Sequence, residues 1–168
     1  IQCERGWYHV KKEEGNLFQH VKIIQKDKVV SCDTAYYAAK PPLFTARGKV
    51  QVEDKQKKQH LIGDVFYSNK STGKTYITGR AIAVQRTEKD SIYLHADTLT
   101  ILEYSTGQTI AMKGNKHIKI FSNTLQAIAD SAYYDNINGQ LTLAKSPMIW
   151  SKNAQLKGDT IIVFMKDS

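Results

Sequence analysis

HADTLTI (95–101) and IADSAYY (128–134) are two copies of one phrase: a small residue, Asp, a hydroxyl residue, then alternating side chains. Three more copies lie in SCDTAYY (31–37), IGDVFYS (62–68) and KGDTIIV (157–163), the second with Val65 in the hydroxyl position. Asp33, Asp64, Asp97, Asp130 and Asp159 stand 31, 33, 33 and 29 residues apart. Such near-equal intervals mark an internal repeat, in which each copy buries its apolar face against its neighbours.

Other features keep step with the aspartates. Gly73, Gly107 and Gly139 follow Asp64, Asp97 and Asp130 by nine or ten residues, inside STGK, STGQ and NING. These are hairpin-turn sequences, where Gly or Asn supplies the positive φ of a tight turn. A second breaker follows at Gly48, Gly79, Gly114 and Pro147, and after it an alternating strand: KVQVE (49–53), RAIAVQ (80–85), KHIKIF (116–121) and PMIWS (147–151). QHVKII (19–24), preceded by Gly15, opens the first copy. Alternation at period two is the mark of a half-buried strand. In register, Val21 and Ile23, Val50 and Val52, Ile82 and Val84, Ile118 and Ile120, and Met148 and Trp150 are expected to share one face. Lys22, Gln51, Ala83, Lys119 and Ile149 are expected on the other. The residue before each Asp is always small (Cys32, Gly63, Ala96, Ala129, Gly158), as close packing or a bulge requires. The residue three before it is always apolar: Val30, Leu61, Leu94, Ala127 and Leu156.

Each repeat therefore reads as strand, loop, Asp-bearing strand, turn, strand, breaker, with strands starting near the aspartates. No stretch sustains a helical period, although the opening YHVKKEEGNLFQH fits either period. The chain is all-β, an elongated β-sandwich or jelly roll of a dozen or more stacked strands.

Composition agrees with a globular protein. The 168 residues fit one domain, or at most two small ones, and 41% hydrophobic against 24% charged residues argues against disorder. Apolar runs of at most five residues exclude a membrane-spanning helix. No signal-peptide pattern opens the chain, so it is either cytosolic or has already lost a leader. The net charge of +8 favours anionic partners, whether nucleic acid, lipid headgroups or acidic glycans. Lys and Tyr do not cluster on one strand pair as a single-strand nucleic-acid surface requires, so no nucleic-acid partner is expected.

Catalytic chemistry leaves no mark. H-E-x-x-H, C-x-x-C and G-x-S-x-G are absent. GKTY (73–76) resembles the tail of a phosphate loop, but the required upstream Gly falls on Ser68 and a strand, not a helix, follows. His20 and His117 share a repeat position, and His60 and His95 precede Asp-bearing strands, which is register rather than a metal cluster. The five aspartates read as structural, accepting hydrogen bonds at a strand start or bulge. Asn69-Lys70-Ser71 is a glycosylation sequon on a turn. Cys3 and Cys32 admit one bridge, or Cys32 is a free core thiol where other copies have Gly or Ala. No enzyme, no cofactor and no metal are expected.

From about Ala46 onward the chain resembles the OstA-like family, periplasmic lipopolysaccharide-transport proteins of the LptA type. HADTLTILEYSTGQTIAMKGNKHIKIFSNTLQAIADSAYYDNINGQLTL (95–143) and SPMIWSKNAQLKGDTI (146–161) look most like Bacteroidetes-type versions. The resemblance implies a single twisted β-jelly roll over residues 1–168, with residues 1–18 left unassigned. It implies a non-enzymatic periplasmic bridge, its leader removed, whose apolar groove shelters the acyl chains of lipid A. It also implies partners joined through edge strands: other lipopolysaccharide-transport proteins, and further copies head to tail. On that reading the groove is lined by Val21, Ile23, Val50, Val52, Ile82, Val84, Ile118, Ile120, Met148 and Trp150. The competing reading is a structural or adhesive β-repeat protein whose interior is simply a filled core.

Overall fold

The computed structural model describes residues 1–164 apart from 89, 105 and 107, so the Gly107 turn lies outside the described residues. Thirteen strands form one antiparallel sheet. They are β1 (Arg5–His9), β2 (Glu14–Gln25), β3 (Lys28–Ala38), β4 (Leu43–Asp54), β5 (Gln59–Asn69), β6 (Lys74–Arg86) and β7 (Ser91–Glu103). After them come β8 (Thr109–Phe121), β9 (Leu125–Asp135), β10 (Gln140–Ala144), β11 (Met148–Ser151), β12 (Ala154–Lys157) and β13 (Thr160–Phe164). Neighbours in sequence are neighbours in the sheet from β1 to β10. The last four strands are two long strands broken in the middle: β9 pairs with β11 through 125–128 and with β10 through 131–135. β12 then pairs with β11 and β13 with β10. The ambiguous opening is sheet, as β1 and the first half of β2.

Asp33, Asp64, Asp97 and Asp130 sit in mid-strand, not at a strand start, whereas Asp159 lies between β12 and β13, just before β13 begins. β2, β4, β6 and β8 each carry a two-residue bulge with left-handed backbone, and a fifth such pair fills the break between β10 and β11. The pairs are Gln19–His20 (φ 63°, 52°), Gly48–Lys49 (77°, 50°), Gly79–Arg80 (85°, 54°), Lys116–His117 (61°, 51°) and Lys145–Ser146 (64°, 56°). Register shifts at these positions in every strand pair they touch. A bulge bends its strand and increases the local twist, so bulges aligned across the sheet make one continuous crease. Gly114 is therefore not the breaker of its copy: it lies in regular strand, and the bend falls two residues on, at Lys116–His117.

The crease sets the phase of every strand. The first residue after each bulge turns inward: Val21, Val50, Ala81, Ile118 and Pro147 are all buried. Counting from there, Ile23, Val52 and Ile120 are inward too, and Val30, Leu61, Leu94 and Ala127 pair with this row. In β6 and β11 the expected phase is reversed. Ala81 and Ala83 face inward, Ile82 pairs with His95, and Val84 pairs with Tyr93 on the outer face. Ile149 is buried while Met148 and Trp150 pair with Ile128 and Gln126 outside. There the position of the bend, rather than side-chain size, decides the face.

Candidate functional site

The inner faces of the two sheet halves enclose one apolar layer. On one side of the crease it holds Val52, Leu61, Ala83, Ile120 and Ile149; on the other, Ala35, Ala46, Phe66, Ile77, Leu99, Leu143 and Ile161. Ile77, Leu99, Ile118 and Leu143 have less than 2% of their surface exposed. The layer runs through every repeat, from β2 to β13, and among the described residues its one buried carboxylate is Asp54, at the end of β4 and paired with Lys28 at 3.3 Å. Of the ten residues expected to line a groove, the structure brings Val21, Ile23, Val50, Val52, Ile118 and Ile120 together on this face. It places Ile82, Val84, Met148 and Trp150 on the opposite one, where Val84 is nevertheless buried, paired with His60 and Tyr93.

A second inward row lies on the far side of the crease. Two residues after each Asp stand Ala35, Phe66, Leu99, Ala132 and Ile161, all buried. Because Asp and its successor both face outward at the bend, period-two counting through Asp loses this row. The small residue before Asp is inward at the crease, where space is short. A Cβ on Gly63 would lie 2.7 Å from Ile77 Cγ1, and one on Gly114 2.6 Å from Ile118 Cδ1.

Opposite the crease the halves meet at a mouth. Lys57, in the turn between β4 and β5, donates to Glu103 Oε1 at the far end of β7 at 2.9 Å. Gln85 Nε2 bonds the Lys57 carbonyl at 2.9 Å, which fixes the turn. At its two ends the sheet is open: β1 and β12 are exposed along their whole length, and so is Phe164 at the end of β13. Unpaired N–H and C=O groups along such edges are templates for another strand.

The polar residues singled out in sequence are structural. Each of four aspartates leans towards the bulge that follows it in the chain. Asp33 and Asp64 lie over Gly48 and Gly79, where a Cβ would come within 2.8 Å of Asp33 Cγ and 2.6 Å of Asp64 Cγ. Asp97 Oδ1 is 2.9 Å from His117 Nδ1, and Asp130 Oδ2 accepts from Lys145 Nζ at 3.3 Å. His20 Nδ1 is 2.6 Å from Glu4 Oε1. Among the described residues no three His, Cys, Asp or Glu side chains gather as a metal site needs. GKTY is a turn and strand start, with the Thr75 hydroxyl bonded to Ser68 Oγ. Asn69 of the sequon accepts from the Ser71 and Thr72 amides and so closes its own turn.

Cys3 and Cys32 are both free thiols, Cys32 buried in the core layer and Cys3 partly buried against it. β2 runs between them: Gln2 bridges Lys22, and Val21 pairs with Cys32. Two inter-strand steps amount to about 9.5 Å, beyond the reach of a disulfide. Burial pushes the Cys32 thiol up to about 11; a backbone hydrogen bond with Arg47 works against this and the Asp33 charge adds to it.

No curated protein matches the chain in sequence. Among solved structures the fold is similar to LptH of Pseudomonas aeruginosa, described as the LptA homologous periplasmic component of the conserved lipopolysaccharide transport device. The superposition has a TM-score of 0.54 at 19% identity and covers 64% of this chain and 75% of that one. The model of the LptA/(LptD N-terminal domain) LPS transport protein family matches residues 60–168, from the start of β5 onward and more than half of the chain. An all-β creased jelly roll with a continuous apolar interior, matched over that length, belongs to the LptA/LptD N-terminal family of lipopolysaccharide-transport proteins.

Proposed function

We propose that this protein is a non-enzymatic carrier in the periplasm that shelters the acyl chains of lipid A between the two halves of its creased sheet. The observation that carries the reading is the uninterrupted inner apolar layer, which extends through all repeats to two open sheet edges. Acyl chains entering it lose water contact at roughly 0.8 kcal/mol per methylene. Residues 1–168 act as one jelly-roll unit, since the sheet is continuous from β1 through β13. Edge strands β1 and β12–β13 join it to other lipopolysaccharide-transport proteins and to further copies, head to tail, because heterologous edges need not close.

In the structure at hand the chain's own side chains fill the layer. Loading therefore separates the halves at the mouth, which distinguishes a carrier from a structural repeat protein with a permanent core. The test places a photoreactive residue at inner Phe44, partly buried near the mouth, or at outer Tyr76, and illuminates with lipopolysaccharide. Crosslinking at position 44 and not at 76 is expected. Equal crosslinking at both, or at 76 alone, would favour the filled-core reading with lipid held outside.

A further inference from the structure

Beyond the cleft, one row of the outer face has a composition that packing does not require. Tyr93, Phe121, Gln126, Trp150 and Gln155 are cross-strand neighbours, one per strand from β7 through β8, β9 and β11 to β12. Three aromatic rings and two planar amides stand at strand spacing, about 4.8 Å, with two adjacent rings followed by amide, ring and amide. The Tyr93 and Phe121 rings are 6.4 Å apart and tilted by 55°, and Phe121 is half exposed.

At the tips of these strands the turn at Asn123 divides two depressions of about 430 Å³ each. One has Tyr93 and Phe121 along its wall; the other has Trp150, Gln126 and Lys152. Asp90, beside the turn, spends its oxygens on the backbone amides of Ser91 and Asn123 at 2.7 and 3.0 Å. Ser122 is buried and holds the turn by accepting from the Leu125 amide at 3.1 Å. The Trp150 side is therefore a fixed, acid-free hollow of indole, amides, hydroxyls and one ammonium group. Lys119 and Lys157 lie one row nearer the crease on the same face.

The geometry points to a saccharide site, and we propose that this shelf binds an anionic sugar. Aromatic rings take the apolar C–H face of a pyranose, and amides with both donors and an acceptor match adjacent hydroxyls. Lys119, Lys152 and Lys157, which have no ion pair among the described residues, select phosphate or carboxylate substituents on that sugar. The proposal rests on the carrier reading for the source of the sugar: it assigns the saccharide end of the amphiphile to the outer face, away from the acyl layer.

The test measures binding of the deacylated saccharide of lipopolysaccharide, with and without its phosphates, to the whole chain. The phosphorylated saccharide should bind, Trp150→Ala should weaken it at least tenfold, and Lys152→Gln should weaken it severalfold. Removing the phosphates should lower affinity and abolish the effect of Lys152→Gln. Gln126→Ala, on an exposed strand position, provides a second variant if Trp150→Ala fails to fold. Unchanged affinity in a folded Trp150 or Gln126 variant overturns the site. So does equal competition by inorganic phosphate, or tighter binding of a single-stranded oligonucleotide. The probe has no acyl chains, so loss of cleft crosslinking with saccharide binding intact would sink the carrier reading alone.

Discussion

Lys57 Nζ and Glu103 Oε1 lie 2.9 Å apart although β6 separates their strands and they belong to opposite halves of the sheet. The pair spans the mouth in front of the inner layer. Both side chains keep a quarter to a third of their surface in solvent, which limits the pair to about 1 kcal/mol or less. Glu103→Gln removes the charge and keeps the shape. If the mouth must open for loading, the variant should take up fluorescent lipopolysaccharide up to about fivefold faster in stopped flow. An unchanged uptake rate would place entry at a sheet edge instead.

The crease makes opposite predictions at equivalent positions. Gly79 and Lys116 are both first residues of a left-handed bulge, at φ 85° and 61°. Gly79 is covered by the Asp64 side chain, so Gly79→Ala adds a clash to backbone strain and should cost about 2 kcal/mol or more. Lys116 carries a Cβ in a conformation that disfavours one and is exposed. Lys116→Gly should relieve strain of about 1 kcal/mol, partly offset by the greater freedom of glycine in the unfolded chain. Urea midpoints of the two variants, displaced in opposite directions from the parent, are the expected result. Gly79→Ala at parental stability would contradict the placement of Asp64.

How far the fold can be read from sequence shows in the contrast between Ile118 and Ile82. The Asp period locates the crease of every repeat, and β8 then alternates as expected, with Ile118 inward. β6 carries the same alternation one residue out of step, because its bend falls at Gly79–Arg80 and makes Ala81 the first inward position. Bulky Ile82 is left outside, against His95 and Ile62. Nothing in residue size signals this; only counting from the bulge does, and left-handed backbone at Lys116 or Lys145 has no sequence mark as Gly does. Ile118→Ala should cost 2–5 kcal/mol by roughly the usual cavity rule. Ile82→Ala should cost about 1 kcal/mol or less. Equal losses at the two positions in chemical denaturation would mean that both face the core.

Cys32 offers a test of the inner layer that needs no lipid. It occupies the small inward position at the crease, 5% exposed, and burial holds its thiol at about 11 against an ordinary 9.0. At pH 8 its thiolate population is then about a hundredfold below that of an ordinary thiol, and access is poor as well. A thiol reagent should label partly exposed Cys3 first and Cys32 at least about 100-fold more slowly in the folded protein. The same shift links to stability. A thiol pKa raised in the folded state gives stability that is complete below about 9 and is lost as pH rises towards 11. Other groups titrate in this window, so the comparison is with Cys32→Ala, which puts at this position the residue found in the copies at Ala96 and Ala129. Between pH 8 and 10.5 the parent should lose more stability than the variant, as read from urea midpoints. Parallel losses, or labelling of Cys32 as fast as Cys3, would show that the crease admits water and that the inner layer is not sealed there.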